Sequence, residues 1–192
     1  MKRLYPALLA SLVATPAAAH LPPGQYGSFL AGVTHPLFGL DHVLAMIAVG
    51  LWAAQIGGRA VWQVPTAFMT AMIAGFLAAL AGLPLPAVEP MIMASIVLLG
   101  AVVALALRPG AGVAMAAVAA LALFHGHAHG GELGSAQALR FGAGFAIATA
   151  GLHGAGLLIA VVFARALRAG SGLVLRVMGG ATALSGVMIA VG

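Results

Sequence analysis

The stretch from His35 to Gln55, HPLFGLDHVLAMIAVGLWAAQ, decides how this chain is read. From Val43 to Ala54 it holds no charged residue. An apolar run of about 20 residues is what an α-helix needs to cross the hydrocarbon of a bilayer. This one opens on His35, Asp41 and His42, so metal-ligating side chains stand at one end of a membrane helix.

Outward from that stretch the apolar pattern repeats. Six transmembrane helices are predicted after cleavage of a leader, at 36–55, 64–83, 88–107, 112–129, 138–163 and 172–191. Gly57-Gly58, Pro84 with Pro86, Pro109-Gly110, Gly130-Gly131 and Gly170 mark the joints. The loops between are short, which predicts one all-α polytopic membrane bundle with no domain outside it. Of the 192 residues, 63% are hydrophobic and only 6% charged, against roughly 25% charged in a soluble domain. The net charge of +5 comes from basic residues scattered singly, so it suggests no nucleic-acid partner. No phosphate-cradling glycine loop of Walker type occurs, which argues against ATP. The chain has no cysteine, so disulfides, iron–sulfur clusters and thiolate sites are excluded, and nitrogen and oxygen must hold any metal.

Residues 1–19 read as a secretory signal. Lys2 and Arg3 precede the apolar run from Leu4 to Val13, and Ala17-Ala18-Ala19 supplies small residues for cleavage. The alternative is an uncleaved first helix. Cleavage would leave His20 at the new N-terminus, where its amine and imidazole can chelate a metal together. With that end outside, Arg59, Arg108, Arg165, Arg168 and Arg176 fall on the inner side and only Arg140 outside. This asymmetry is the one expected of cytoplasmic loops, and it predicts a bacterial inner-membrane protein with a periplasmic N-terminus. Trp52 and Trp62 read as interface anchors. One echo stands out: residues 74–83 read AGFLAALAGL and residues 143–152 AGFAIATAGL. Three helices per half would make such a repeat inverted, although chance similarity is common in an Ala/Gly/Leu-rich chain.

The chain keeps three acids and seven histidines, and most of them fall in the outer half of this topology. On a continuous helix, His35 and His42 are two turns apart on one face, with Asp41 beside them to ligate or to orient His42. His125 and His129 stand at i and i+4, while His127 points elsewhere unless the nearby glycines unwind the chain. Glu132 follows. Gly126, Gly130 and Gly134 are spaced for close helix approach. Glu89, before Pro90, is either a helix cap or a cation attractor. His153 lies roughly 20 Å along its helix, near the bilayer middle, as a core histidine or a pathway residue. An Asp at a helix centre costs about 2.5–3.5 kcal/mol; Asp41 and His42 stand one to two turns in, where the cost is smaller but real. The structural alternative for Asp41 and His42 is a helix cap or an interhelical tie. Met46 is a conceivable soft contact.

His35-Pro36-Leu37-Phe38-Gly39-Leu40-Asp41-His42 resembles the H-x5-D-H signature of the HupE/UreJ family. Phe124-His125-Gly126-His127-Ala128-His129-Gly130-Gly131-Glu132 resembles its second signature, FHG-x-A-H-G-x-E. Leu44-Ala45-Met46 and Val49-Gly50-Leu51-Trp52-Ala53 also fit, and the resemblance spans the mature chain. It implies secondary uptake of nickel, sometimes cobalt, for hydrogenase or urease maturation. It carries over His35, Asp41, His42, His125, His129 and Glu132 as metal-recognition residues. His127 occupies the motif's variable position; His20, Glu89 and His153 come from depth and topology alone.

The favoured reading is a permease for Ni²⁺ or Co²⁺, with the ion as transported substrate, no prosthetic group, and lipid as its other partner. A homo-oligomer is left open. The rival readings are a membrane metalloenzyme, against which no H-E-x-x-H motif occurs, and a metal-binding accessory or sensor protein that does not transport.

Overall fold

The computed structural model describes residues 29–131, 135–167 and 170–191. The leader, His20 and Glu132 lie outside the described residues. Those described form seven helices: α1 Phe29–Phe38, α2 Leu40–Ile56, α3 Ala60–Leu80, α4 Val88–Ala104, α5 Ala111–Gly131, α6 Ser135–Leu167 and α7 Ser171–Val191. Four of these (α3, α5, α6 and α7) are long and apolar enough to cross a membrane, and a fifth span is reached if α1 and α2 are taken as one. The perimeter is apolar. Leu98, Ile147, Leu158, Val177 and Leu184 are all exposed, as a lipid-facing surface requires.

The first predicted helix is the main correction. It is two helices bent by 82°. Pro36 lies inside α1 and brings no N–H, so it weakens the turn before it. Gly39 then adopts an extended conformation, φ −80° and ψ 109°. The backbone bonds survive on both sides, from the Gly39 N–H to the His35 carbonyl at 3.2 Å and from the Val43 N–H to the Gly39 carbonyl at 3.0 Å. His35 and His42 therefore do not share a helix face, and their approach is made by the bend.

α4 ends three residues earlier than the apolar run suggested, because Ala106 turns left-handed at φ 52°. At 17 residues, about 25 Å by helical rise, it matches α2 in length, and of the described helices only α1 is shorter. Carbonyls at such an end need donors where water is scarce. Trp52 Nε1–H donates to the Leu107 carbonyl at 2.7 Å, Gln55 Nε2–H to Val103 at 3.0 Å and Arg176 Nε–H to Ala104 at 2.8 Å. Trp52 is thus a buried tie and not the lipid anchor expected. Trp62 is exposed.

Small residues set the helix pairs. A Cβ on Gly126 of α5 would overlap the Met72 carbonyl of α3, and one on Gly75 of α3 would overlap the Leu123 carbonyl of α5. α6, 33 residues long, is clasped by α1 and, further along, by α2. There a Cβ on Gly50 would overlap the His153 carbonyl. Backbones approach this closely in lipid only where side chains are absent. Because the glycines of α5 press on α3, that helix runs unbroken through Gly126 and Gly130.

Candidate metal centre

The bend between α1 and α2 places His35 in the last turn of α1 and His42 in the first turn of α2. The last turn of α5 brings His129 between them. The three offer ring nitrogens that all lie within 4.8 Å of one another. His42 Nε2 and His129 Nε2 are 2.7 Å apart. Imidazoles bonded to one ion at about 2 Å lie no more than about 4 Å apart, so a small inward rotation of the rings completes a three-nitrogen set.

Two ring nitrogens 2.7 Å apart hold a hydrogen or a cation between them: a neutral ring with its hydrogen on Nε2 donates to the lone pair of the other. Lone pair facing lone pair would repel. His42 is 4% and His129 5% exposed, so water does little to screen that repulsion. The helix ends favour a cation as well. α1 and α5 both present C-terminal turns to the cluster, the negative pole of each helix. α2 presents its N-terminus, and Asp41 in its first turn counters that positive end.

Asp41 Oδ2 stands 3.1 Å from His42 Nδ1, an ion-pair distance outside hydrogen-bond geometry. A carboxylate there favours the proton on Nδ1 and leaves the Nε2 lone pair for the cluster. Gly39 gives Asp41 room: a Cβ at that position would come 2.8 Å from Asp41 Oδ1 and 3.1 Å from His42 Nδ1.

Aromatic rings wall the cluster. Phe145 lies 4.7 Å from His129 and 6.0 Å from His42, centroid to centroid, and stacks on Phe141, which meets His35 at 5.7 Å. Sequence reasoning missed Phe141 and Phe145. The available signal was their i, i+4 spacing, with Phe145 inside the echoed segment.

The other sequence candidates fall outside this group. His125 turns its Nε2 to Ser95 Oγ at 2.8 Å, although its ring centroid is 5.2 Å from His42. His127 donates Nε2–H to the Leu83 carbonyl at 2.8 Å, away from the cluster; α5 does not unwind to turn it inward. Glu89 is exposed in the first turn of α4. His153 is 2% exposed and edge-on to Phe68 at 5.0 Å, and neither of its ring nitrogens has a partner. It belongs to a deeper level than the three. Met46 is packed in the apolar core.

A family model described as HupE / UreJ protein matches residues 8–189 of this chain. Protein HupE of Rhizobium leguminosarum bv. viciae is 45% identical over 182 residues, covering 94% of this chain and 94% of its own length. No solved structure matches the chain.

Proposed function

We propose, from the premise that this chain belongs to the HupE / UreJ family, that it is a permease carrying a divalent transition-metal ion from the periplasm into the cell. Nickel is the favoured cargo and cobalt the second, supplied to maturing metalloenzymes. The observation that carries this reading is the meeting of His35, His42 and His129 from three helices of an apolar bundle, with two Nε2 atoms 2.7 Å apart. Imidazole nitrogen suits Ni²⁺, Co²⁺, Cu²⁺ and Zn²⁺ and discriminates against Mg²⁺ and Ca²⁺. Three protein ligands leave coordination positions open, so an ion can exchange its waters stepwise and leave again.

In this reading the bent α1–α2 unit is the first of six spans and α4 is a short third. The mature N-terminus and the histidine cluster face the periplasm across the inner membrane, and Arg59, Arg108, Arg165, Arg168 and Arg176 face the cytoplasm. Asp41 and, by the family motif, Glu132 draw the hydrated ion to the mouth, with Glu89 as an outer attractor. An inside-negative potential contributes about 2.3 kcal/mol per charge per 100 mV, so a divalent ion enters without ATP.

The test is nickel flux into proteoliposomes carrying the purified protein. Entry of nickel that is accelerated by an inside-negative potential, and lost in His42→Ala, is the expected result. Stoichiometric binding without flux would replace the permease reading with that of a metal-binding accessory protein.

A further inference from the structure

We infer that Ser95 holds His125 with its proton on Nε2, so that the bare Nδ1 of His125 and the ring of His153 form a second, inner metal station below the three outer histidines. This rests on the permease reading of the outer cluster.

The proton positions follow from two short distances. Ser95 Oγ lies 2.6 Å from the Ile92 carbonyl oxygen and 2.8 Å from His125 Nε2. A hydroxyl has one hydrogen. If it pointed at His125, two oxygens would face each other at 2.6 Å with no hydrogen between them. So the Ser95 hydroxyl donates to Ile92, and its oxygen accepts from His125 Nε2–H. His125 Nδ1 is then a lone pair, buried and without a partner.

Other buried side chains are in the same condition. Both ring nitrogens of His153 are buried and unpartnered, as is Thr149 Oγ1 one turn before it on α6. Phe68 packs against both histidines, 5.8 Å from His125 and 5.0 Å from His153. Buried polar atoms without partners are uncommon in native proteins and call for a reason. An ion that visits and departs supplies one.

Depth sets the order. His125 is one helical turn inward of His129, about 6 Å along α5. His153 is level with Gly50, which is two turns inward of His42, about 12 Å along α2. The outer group offers three nitrogens from three helices. The inner one offers two, with Thr149 as the only nearby hydroxyl on α6, so it holds an ion less tightly. Conduction needs successive sites that admit an ion and let it go.

Ser95 acts here as a positioning residue, and its role is read most directly by nitrogen-15 NMR of the histidine rings in the full-length protein. Wild type should show His125 protonated at Nε2, and Ser95→Ala should shift it to a mixture. Co²⁺ titration followed by visible absorption should show two ions per chain, one tight and one weaker. Ser95→Ala should weaken only the second, by about tenfold or more. Ser95→Thr, which keeps the hydroxyl, should restore it. His153→Asn should also lose the second ion, which covers the case of a Ser95 variant that does not fold. A single ion per chain, displaced by His35→Ala, would overturn the inner station and leave the outer cluster standing. No bound ion at all would overturn both. A wild-type His125 protonated at Nδ1 would overturn the role of Ser95.

Discussion

Two helix pairs in this molecule make the same contact and then end differently. In α3–α5, Gly75 presses on the backbone at Leu123 and His127, and Gly126 on that at Met72. In α1–α6, Gly144 presses on the backbone at Phe29 and Val33, and Gly32 on that at Phe141. Gly75 and Gly144 occupy the same place in the two echoed segments, so the echo corresponds to one packing contact used twice. Three residues beyond Gly126 is His129, and three beyond Gly32 is His35. Their rings meet with centroids 4.4 Å apart. Past that point α5 runs on as one helix to Gly131, whereas α1 breaks at Gly39 and swings by 82° into α2. The repeated contact brings two imidazoles together edge to face, and the break adds the third, His42, with Asp41 behind it.

The sharpest way to break the comparison is to remove the ligand that only one side has. His42→Ala should reduce nickel uptake at least about a hundredfold, taking the outer-ligand role as part of a set that acts as a unit. Its helix content and detergent stability should be unchanged. His35→Ala and His129→Ala should then give matching losses if the two pairs are equivalent in function. Unequal losses would mean that the likeness of the pairs ends at packing.

The packing itself can be broken next. Gly126→Leu would drive a side chain into the Met72 backbone, and Gly32→Leu one into Phe141. Overpacking of this kind costs roughly 1–3 kcal/mol. Both variants should unfold at lower temperature in detergent, by similar amounts, and lose uptake in proportion. A stable Gly32→Leu protein would show that the α1–α6 contact is looser than its counterpart.

Much of this was legible in the sequence, and what was not has two causes. Apolar runs bounded by Gly and Pro mark the helices because lipid leaves the chain few other ways to satisfy its backbone. His35, His42 and His129 stand out because polar residues are scarce. The break at Gly39 was hidden, since Pro36 and Gly39 sit within an apolar run that reads as continuous. The expected two-turn face between His35 and His42 was therefore the wrong route to their meeting. Ser95 and Phe68 were hidden for a different reason, and Phe141 and Phe145 showed only in their i, i+4 spacing. Each is an ordinary residue in a membrane helix, and only packing against a neighbouring helix gives it a histidine to touch. Trp52 was misread the same way, because its donor finds the Leu107 carbonyl at the end of a short helix and not the lipid headgroups.

Asp41→Asn sharpens the comparison at the break. It keeps the shape of the side chain and removes the charge that faces His42 Nδ1. Loss of such a partner behind a ligating histidine typically costs 10- to 100-fold in affinity or activity, roughly as in other metal sites. The concentration of nickel giving half-maximal uptake should rise in that range. An unchanged value would assign Asp41 to holding the start of α2 in place.

The smallest effect is expected at His127, and it tests whether the second histidine of α5 matters. Its Nε2–H reaches the Leu83 carbonyl, beyond the end of α3 and away from the cluster. It therefore ties the α3–α4 connection to α5 and offers no nitrogen to His42 or His129. His127→Gln keeps an N–H donor of similar reach. Uptake should stay within about twofold of wild type, because a single exposed hydrogen bond is worth only about 1 kcal/mol even when lost entirely. A large loss in the glutamine variant would mean that the ring itself meets the ion during entry. The equivalence of the two helix pairs would then cover only part of the α5 contribution to the site.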